Sequence, residues 1–444
     1  MKTRIHLWVI LFMMSTSVAF SQIDRNRSLA QFRLPNQFGA AQFEALGDRD
    51  VEFEGVNVRV GGGFALQYQA LSHESSGLNF DSIGLVDIHN NFNLPTANLD
   101  LDVAFAKGVR MHLRTYLSAR HHPEAWVKGG YVQISSLDFI EEDFLSGVMD
   151  LVTVKVGLME INYGDYHFRR TDNARAIYNP FVGNLILDAF NTEMGAEIYV
   201  TPGDFLIMGG ITNGNLNQTV IGDGESNTPS ILAKVGWDKQ VSDDLRTRLT
   251  ASLYTSAEGQ TNFLYNGDRA GSRYYMVMEP AQFIPRGSNQ LSNANYVAQF
   301  TSGRFNPSFV SQVTAIMVNP YVRWKGLEFF GTYETTSGQI TGEPETRNWT
   351  QLHGELVYYF FERENVYVGG KYNVASGQLP NFNPTADPTE VSIDRLAFSA
   401  GWYMTKNIMV KAEYVTQNYN DFEGSTVLRD GSFDGVILEA TINF

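Results

Sequence analysis

No cysteine occurs anywhere in the 444 residues. That excludes disulfides, thiolate metal centres, cysteine nucleophiles and lipid attachment through an N-terminal cysteine. Cations are outnumbered: 33 Lys and Arg stand against 48 Asp and Glu, for a formal charge of −15. Nucleic acid is therefore not an expected partner, because no basic excess exists to displace counterions. Beyond the first twenty residues, no apolar run reaches the ~18 residues of a membrane-spanning helix. The nucleophile elbow G-x-S-x-G, the phosphate-binding loop, H-E-x-x-H and the dinucleotide fingerprint are all missing, so no cofactor and no catalytic residue is expected. A propeller would repeat every ~40–45 residues, and no such repeat is present.

Aromatic residues, by contrast, make up 13% of the chain, and there are 40 glycines. The N-terminus carries an export signature: Lys2 and Arg4, an apolar stretch at 7–14, then Ala19-Phe20-Ser21 with small residues where a signal peptidase reads. Residues 1–21 are thus an expected signal peptide. Residues 22–50, polar, irregular and containing Pro35, are an expected periplasmic leader, and 51–444 form the remaining domain.

That domain reads as strands. In 108–120, GVRMHLRTYLSAR, the cationic side chains Arg110, His112, Arg114 and Arg120 alternate with Val109, Met111, Leu113, Leu117 and Ala119. Successive side chains of a strand point to opposite faces, so this segment has one charged face and one apolar face. Arg59, Gln67 and Gln69 oppose Val58, Val60, Phe64 and Leu66; Arg246 and Arg248 oppose Leu245, Leu249 and Leu253. Short connections such as 106–108, 201–204, 325–326, 362–364 and 405–407 alternate with long ones around 71–96, 161–190, 216–228, 259–311, 378–392 and 420–432. Strands of roughly ten residues with this alternation of short and long connections are the signature of outer-membrane barrels. The expected fold is all-β: a transmembrane antiparallel β-barrel of about sixteen strands, with short periplasmic turns and long extracellular loops. The expected location is the outer membrane of a Gram-negative bacterium, in contact with lipid and lipopolysaccharide. Expected strand centres lie near 61, 101, 114, 131, 155, 196, 209, 234, 251, 318, 332, 355, 371, 398, 413 and 438, with room for one more hairpin in 259–311. Trp126, Trp237, Trp324, Trp349, Trp402, Tyr358 and Tyr419 fall near strand ends, where interfacial aromatic belts lie.

The polar faces then line a lumen. The expected pore-lining cations are Arg59, Arg110, His112, Arg114, Lys128, Lys155, Arg246 and Arg248, with Lys234, Lys371, Arg395 and Lys411 in the same phase. Rows of Arg and Lys favour anions in pores. Asp100, Asp102, Glu193, Glu197, Glu328, Glu355, Glu413 and Glu439 also face inward, so a mixed-charge lumen whose pairs satisfy one another stands beside weak anion preference. Loop 161–190 mixes charges, aromatics and apolar residues. Folded inward, it would narrow the bore, with Asp165, Arg169, Arg170, Asp172 and Arg175 as constriction residues. The alternative is that these residues tie the loop to the wall or to another subunit. His121-His122 and the row Asp48, Asp50, Glu52 and Glu54 read as solvated groups rather than metal ligands.

The stretch GDYHFRRTDNARAIYNPF (164–181) after VTVKVGLMEI, the early FEGVNVRVGGGFALQYQAL (53–71), and the last strand ending in Phe444 together resemble outer-membrane porins of the Bacteroidota. More distantly, they resemble the phosphate-selective porin family. The resemblance covers nearly the whole mature chain and implies a diffusive channel for small solutes, a homotrimer, and a third long loop folded inward. The terminal Phe444 resembles the signal read by the outer-membrane insertion machinery. Phosphate-selective members line their constriction with Lys and Arg; here acids interleave. Other readings are a surface adhesin or partner-binding scaffold, a gated channel fed by a lipoprotein, and a barrel-embedded hydrolase, whose Ser and His need no local motif.

Overall fold

The computed structural model describes residues 29, 33, 37–46, 52–77, 84–118, 126–171, 174–214, 228–257, 262–265, 273–280, 302–424 and 426–444. The expected signal peptide, Arg120, His121-His122, Asp172 and most of the region considered for an extra hairpin fall outside them.

Sixteen antiparallel strands close into one barrel. They are β1 (Asn57–Glu74), β2 (Asn91–Ala106), β3 (Val109–Ser118), β4 (Trp126–Ile134), β5 (Val152–Glu160), β6 (Thr192–Val200), β7 (Phe205–Thr212) and β8 (Ser230–Ser242). The second half comprises β9 (Leu245–Ser256), β10 (Gln312–Trp324), β11 (Leu327–Gln339), β12 (Arg347–Phe360), β13 (Val366–Gln378), β14 (Glu390–Thr405), β15 (Ile408–Asn420) and β16 (Ser432–Asn443). Every expected strand centre lies within one of these strands. Closure is made by β1 against β16, with Gly63 opposite Asn443 and Glu74 opposite Ser432. A membrane offers no water to unpaired N–H and C=O groups, so a sheet that crosses it must leave no edge.

Side chains alternate as the sequence predicts. On β14, Phe398, Trp402 and Met404 are exposed on the outside, whereas Arg395, Ala397 and Ser399 are buried inside. Trp126, Trp324, Trp402 and Tyr358 are exposed on the outer surface, as an interfacial belt requires. Trp349 and Tyr419 depart from that expectation. Both are buried in the lumen, and Trp349 stacks on Phe305 at 4.6 Å between ring centroids. Closeness to a strand end does not decide which face a residue takes; its phase does.

Both chain ends of the barrel lie at its short-turn end, which is the periplasmic end of such barrels. Gly108 shows why these turns are specified. Its φ is +70°, and a Cβ there would stand 2.4 Å from Ser136. One connection at this end departs from the rule of short turns. Residues 135–151, between β4 and β5, include a single helical turn, Ser146–Met149, and expose Phe139, Ile140, Phe144, Leu145 and Val148.

The barrel is not hollow. Ile177, Phe181, Val182, Ile186 and Leu187 of the connection between β5 and β6 pack against the inner faces of β12 to β16, including Trp349, Tyr367, Ala397 and Ile437, in one continuous apolar core. A smaller cluster joins Phe43 to Phe168, Tyr321 and Phe330. Phe43 belongs to the segment expected in the periplasm. Residues 37–46 of that segment lie inside the barrel, because their polar and aromatic side chains find partners on the wall there.

Candidate functional site

The lumen is divided by the inward loop. Its irregular backbone leaves N–H and C=O groups that must be paired once buried, and the wall of β11 to β16 supplies the partners. Glu413 accepts from the N–H of Val182 at 2.7 Å, Asn373 from Ile186 at 2.8 Å and Gln351 from Leu187 at 2.8 Å. Lys411 donates to the carbonyls of Ala176, Asn179 and Phe181 at 2.8–2.9 Å, and Lys371 to that of Gly183 at 2.7 Å. Arg395 donates to the carbonyls of Asn184 and Gly303. Three cations expected to face solute are therefore clamps on a loop.

Charged side chains of the loop are placed the same way. Arg169 bridges Glu328 (3.1 Å) and Glu355 (2.5 Å). Arg170 pairs with Asp188 at 2.8 Å, and Arg175 pairs with Glu160 at the end of β5. Asp165 is fully buried and accepts from Arg248 Nε (2.8 Å), Lys234 Nζ (2.7 Å) and the Thr250 hydroxyl (2.9 Å). The N-terminal segment completes this node: Glu44 lies 2.8 Å from Arg248 and 2.9 Å from Lys234. Burial alone would raise the Glu44 carboxyl, but Arg248 and Lys234 overcome that and hold it down to about 2. The same segment is tied by Gln133 to the carbonyl of Leu46 (2.5 Å) and by Arg246 to that of Ala41 (2.6 Å). It forms a strap across the short-turn half of the lumen.

One cleft of about 920 Å³ of empty space lies at the long-loop end, among Val277, Glu279, Arg304, Phe305 and Tyr419. Further open space lies along the inner faces of β1 to β6. Two clefts of about 550 and 560 Å³ of empty space adjoin there, sharing Ala45, Arg114, Phe168 and Arg175 as walls. The first is lined by His112, Lys128, Lys155, Glu160 and Glu44, and the second by Arg33, Arg59, Asp100, Tyr178 and Phe444. Of the residues expected to line a pore, Arg59, His112, Arg114, Lys128 and Lys155 thus border this space. Most are held by neighbours: Arg114 by Asp100 in a two-pronged pair at 2.7 Å, Arg59 by Asp102 at 2.9 Å, His112 by Asp102 at 2.7 Å and Lys155 by Glu197 at 3.5 Å. Lys128 sits over the rings of Tyr116 (4.8 Å) and Phe190 (5.8 Å). Arg110 is apart from the clefts, bonded to Ser135 at 2.7 Å near the short-turn end. Arg246 and Arg248 are engaged with Asp238 and the buried node. The sequence reading missed Glu44 and Arg33. A carboxylate and a guanidinium in a polar leader carry no local sign that they enter a barrel.

No protein-family model and no curated protein matches the sequence. Solved structures do match its shape. An anion-selective porin from Comamonas acidovorans superposes with a TM-score of 0.52 at 10% identity, over 88% of this chain and 100% of that one. The outer membrane channel DcaP of Acinetobacter baumannii gives 0.50 at 12% identity, over 88% and 99%. At such identities the likeness is one of fold. With an apolar belt outside, a polar and charged interior, and no free sheet edge, the chain is an outer-membrane β-barrel with the fold of Gram-negative porins.

Proposed function

We propose that the protein is a narrow porin that passes small hydrophilic solutes and inorganic ions by passive diffusion along the β1–β6 side of its lumen, with a weak preference for anions. The observation that carries this is the composition of the two adjoining clefts. Six cations (Arg33, Arg59, Arg114, Lys128, Lys155 and Arg175) border them, against Glu44, Asp100, Glu160 and the chain terminus at Phe444. Cationic linings favour anions in pores. The preference is weak because the wall arginines carry their own carboxylates, which cancel much of their field. The interleaved acids argue against selectivity for phosphate.

The test is the reversal potential of single channels in a potassium chloride gradient. The wild type should lie on the chloride side of zero. Lys128→Glu, a change of two charges in a confined cleft, should lower the chloride-to-potassium permeability ratio by about fivefold or more without changing the heat-modifiable mobility of the barrel. A filled lumen also suits a surface scaffold. A folded barrel that never conducts would favour that reading instead.

Assembly and insertion belong to the same proposal. From Val152 to Ile211 the outward positions of β5 to β7 carry no Trp or Tyr, whereas Trp324, Tyr333, Tyr358, Tyr372, Trp402 and Tyr414 are exposed on β10 to β15. The sector without Trp or Tyr suits the contact between copies of a homotrimer, and the sector rich in them suits lipid and lipopolysaccharide. Phe444 exchanges backbone hydrogen bonds with Gly62 at 3.1 Å and keeps its ring exposed, which suits recognition by the insertion machinery.

A further inference from the structure

Arg33, which donates to the carbonyls of Gly39 and Ala40 in the strap, adds to the second cleft one cation that the barrel itself does not supply. Arg33 donates to the carbonyls of Gly39 (2.7 Å) and Phe168 (2.5 Å), and its guanidinium lies 3.9 Å above the Tyr178 ring. No carboxylate pairs with it among the described residues. The three arginines that face the same space differ: Arg59 has Asp102, Arg114 has Asp100 and Arg175 has Glu160. The other charges at this cleft are Asp100, already engaged by Arg114, and the chain terminus at Phe444, whose carbonyl oxygen accepts from Arg59 at 3.0 Å. Among the described residues, Arg33 is thus the arginine of this cleft that no carboxylate pairs with directly. Burial works against that charge, and a passing anion relieves the penalty.

We propose that Arg33 is a selectivity-determining residue of the channel, delivered to the short-turn end of the passage by the N-terminal strap. The strap is then a part of the pore wall and not a tether outside it. This rests on the channel reading above. It goes further in assigning selectivity to a segment that is not a strand and not the inward loop. The carbonyls of Gly39 and Phe168 hold the guanidinium in place, so its position depends on the strap and the loop together. Arg33 and the Tyr178 ring it lies over both line this cleft.

The test uses the absence of cysteine elsewhere. Arg33→Cys, in the full mature chain, places one thiol at the site, and reversal potentials are read in a potassium chloride gradient before and after modification. The unmodified variant should show a chloride-to-potassium permeability ratio about threefold or more below wild type. An aminoethyl thiosulfonate, which attaches a cation, should restore the ratio. A sulfonatoethyl reagent, which attaches an anion, should lower it further. The same folded protein is compared with itself, so a change in folding does not explain opposite responses. A conducting variant with an unchanged ratio, equal responses to the two reagents, or a thiol that neither reagent reaches from the aqueous phase would each overturn the assignment. None of these would touch the channel reading, which fails only if the wild type does not conduct.

Discussion

Replacing Asp165 with asparagine should loosen the inward loop and raise single-channel conductance. Asp165 is the fully buried carboxylate between Arg248 and Lys234. Asparagine keeps its shape and removes its charge. Lys234 would then keep Glu44 as its carboxylate, and Arg248 would keep Glu44 and Asp238; Glu44 is held on a strap. Removing one partner from a buried charge cluster costs about 3–5 kcal/mol, because the remaining charges lose compensation that water cannot supply. The damage is local: Asp165 stands at the head of the loop, and β8 and β9 keep their ladders on either side. The expected result is a barrel that still migrates as a folded species but converts at a lower temperature in heat-modifiability assays, with larger and noisier current steps. Thr250→Val removes only a hydroxyl from the same carboxylate and should have a much smaller effect, on the order of 1 kcal/mol.

The second large effect is expected at Lys411. Its ammonium group donates to three loop carbonyls and lies 3.1 Å from Glu439. Lys411→Met fills nearly the same volume with a chain that donates nothing. Three buried carbonyls lose a donor, and Glu439 keeps Arg273 as its cation. Charge-assisted hydrogen bonds contribute about 1.5–3 kcal/mol each and are not additive, so a total loss of roughly 3–5 kcal/mol is expected. The Asp165 change frees the head of the loop, whereas this one frees its middle, at 176–181. That part fills the lumen against β13 to β16. Conductance should therefore rise more than for Asp165→Asn, and trypsin should cut folded protein at the newly mobile Arg175. Unchanged conductance and protease resistance in both variants would mean that the loop is held by its apolar core alone.

Strand positions were legible because the constraint that sets them is local. Period-two alternation in 108–120 or 395–415 follows from one face meeting lipid, and it needs no knowledge of the partner strand. The inward phase of Arg114, Lys155 and Arg248 followed from the same alternation. Their partners did not. Arg248 meets Asp165, 83 residues away, and Glu44, 204 residues away. Such pairings depend on barrel register and on the path of two irregular segments. For the same reason Lys371, Arg395 and Lys411 looked like pore cations and are loop clamps. The position of Arg33 and Glu44 was hidden more completely. A segment without periodicity reads as solvated leader until the cavity that receives it is known. The 135–151 connection was hidden by the rule that periplasmic turns are short, which is a tendency of barrels and not a physical requirement.

The central claim is that conduction follows the cleft beside β1 to β6 and not the opposite side, where the loop fills the lumen. Cysteine accessibility tests it most directly, because the chain contributes no background thiol. Lys128→Cys places a thiol on the open cleft, and Ala397→Cys places one on the inner face of β14 beneath the loop. A charged thiosulfonate added during recording should reduce the current through Lys128→Cys channels stepwise and leave Ala397→Cys channels unchanged. Block at Ala397→Cys with no response at Lys128→Cys would put the conducting path on the other side of the barrel and contradict the account.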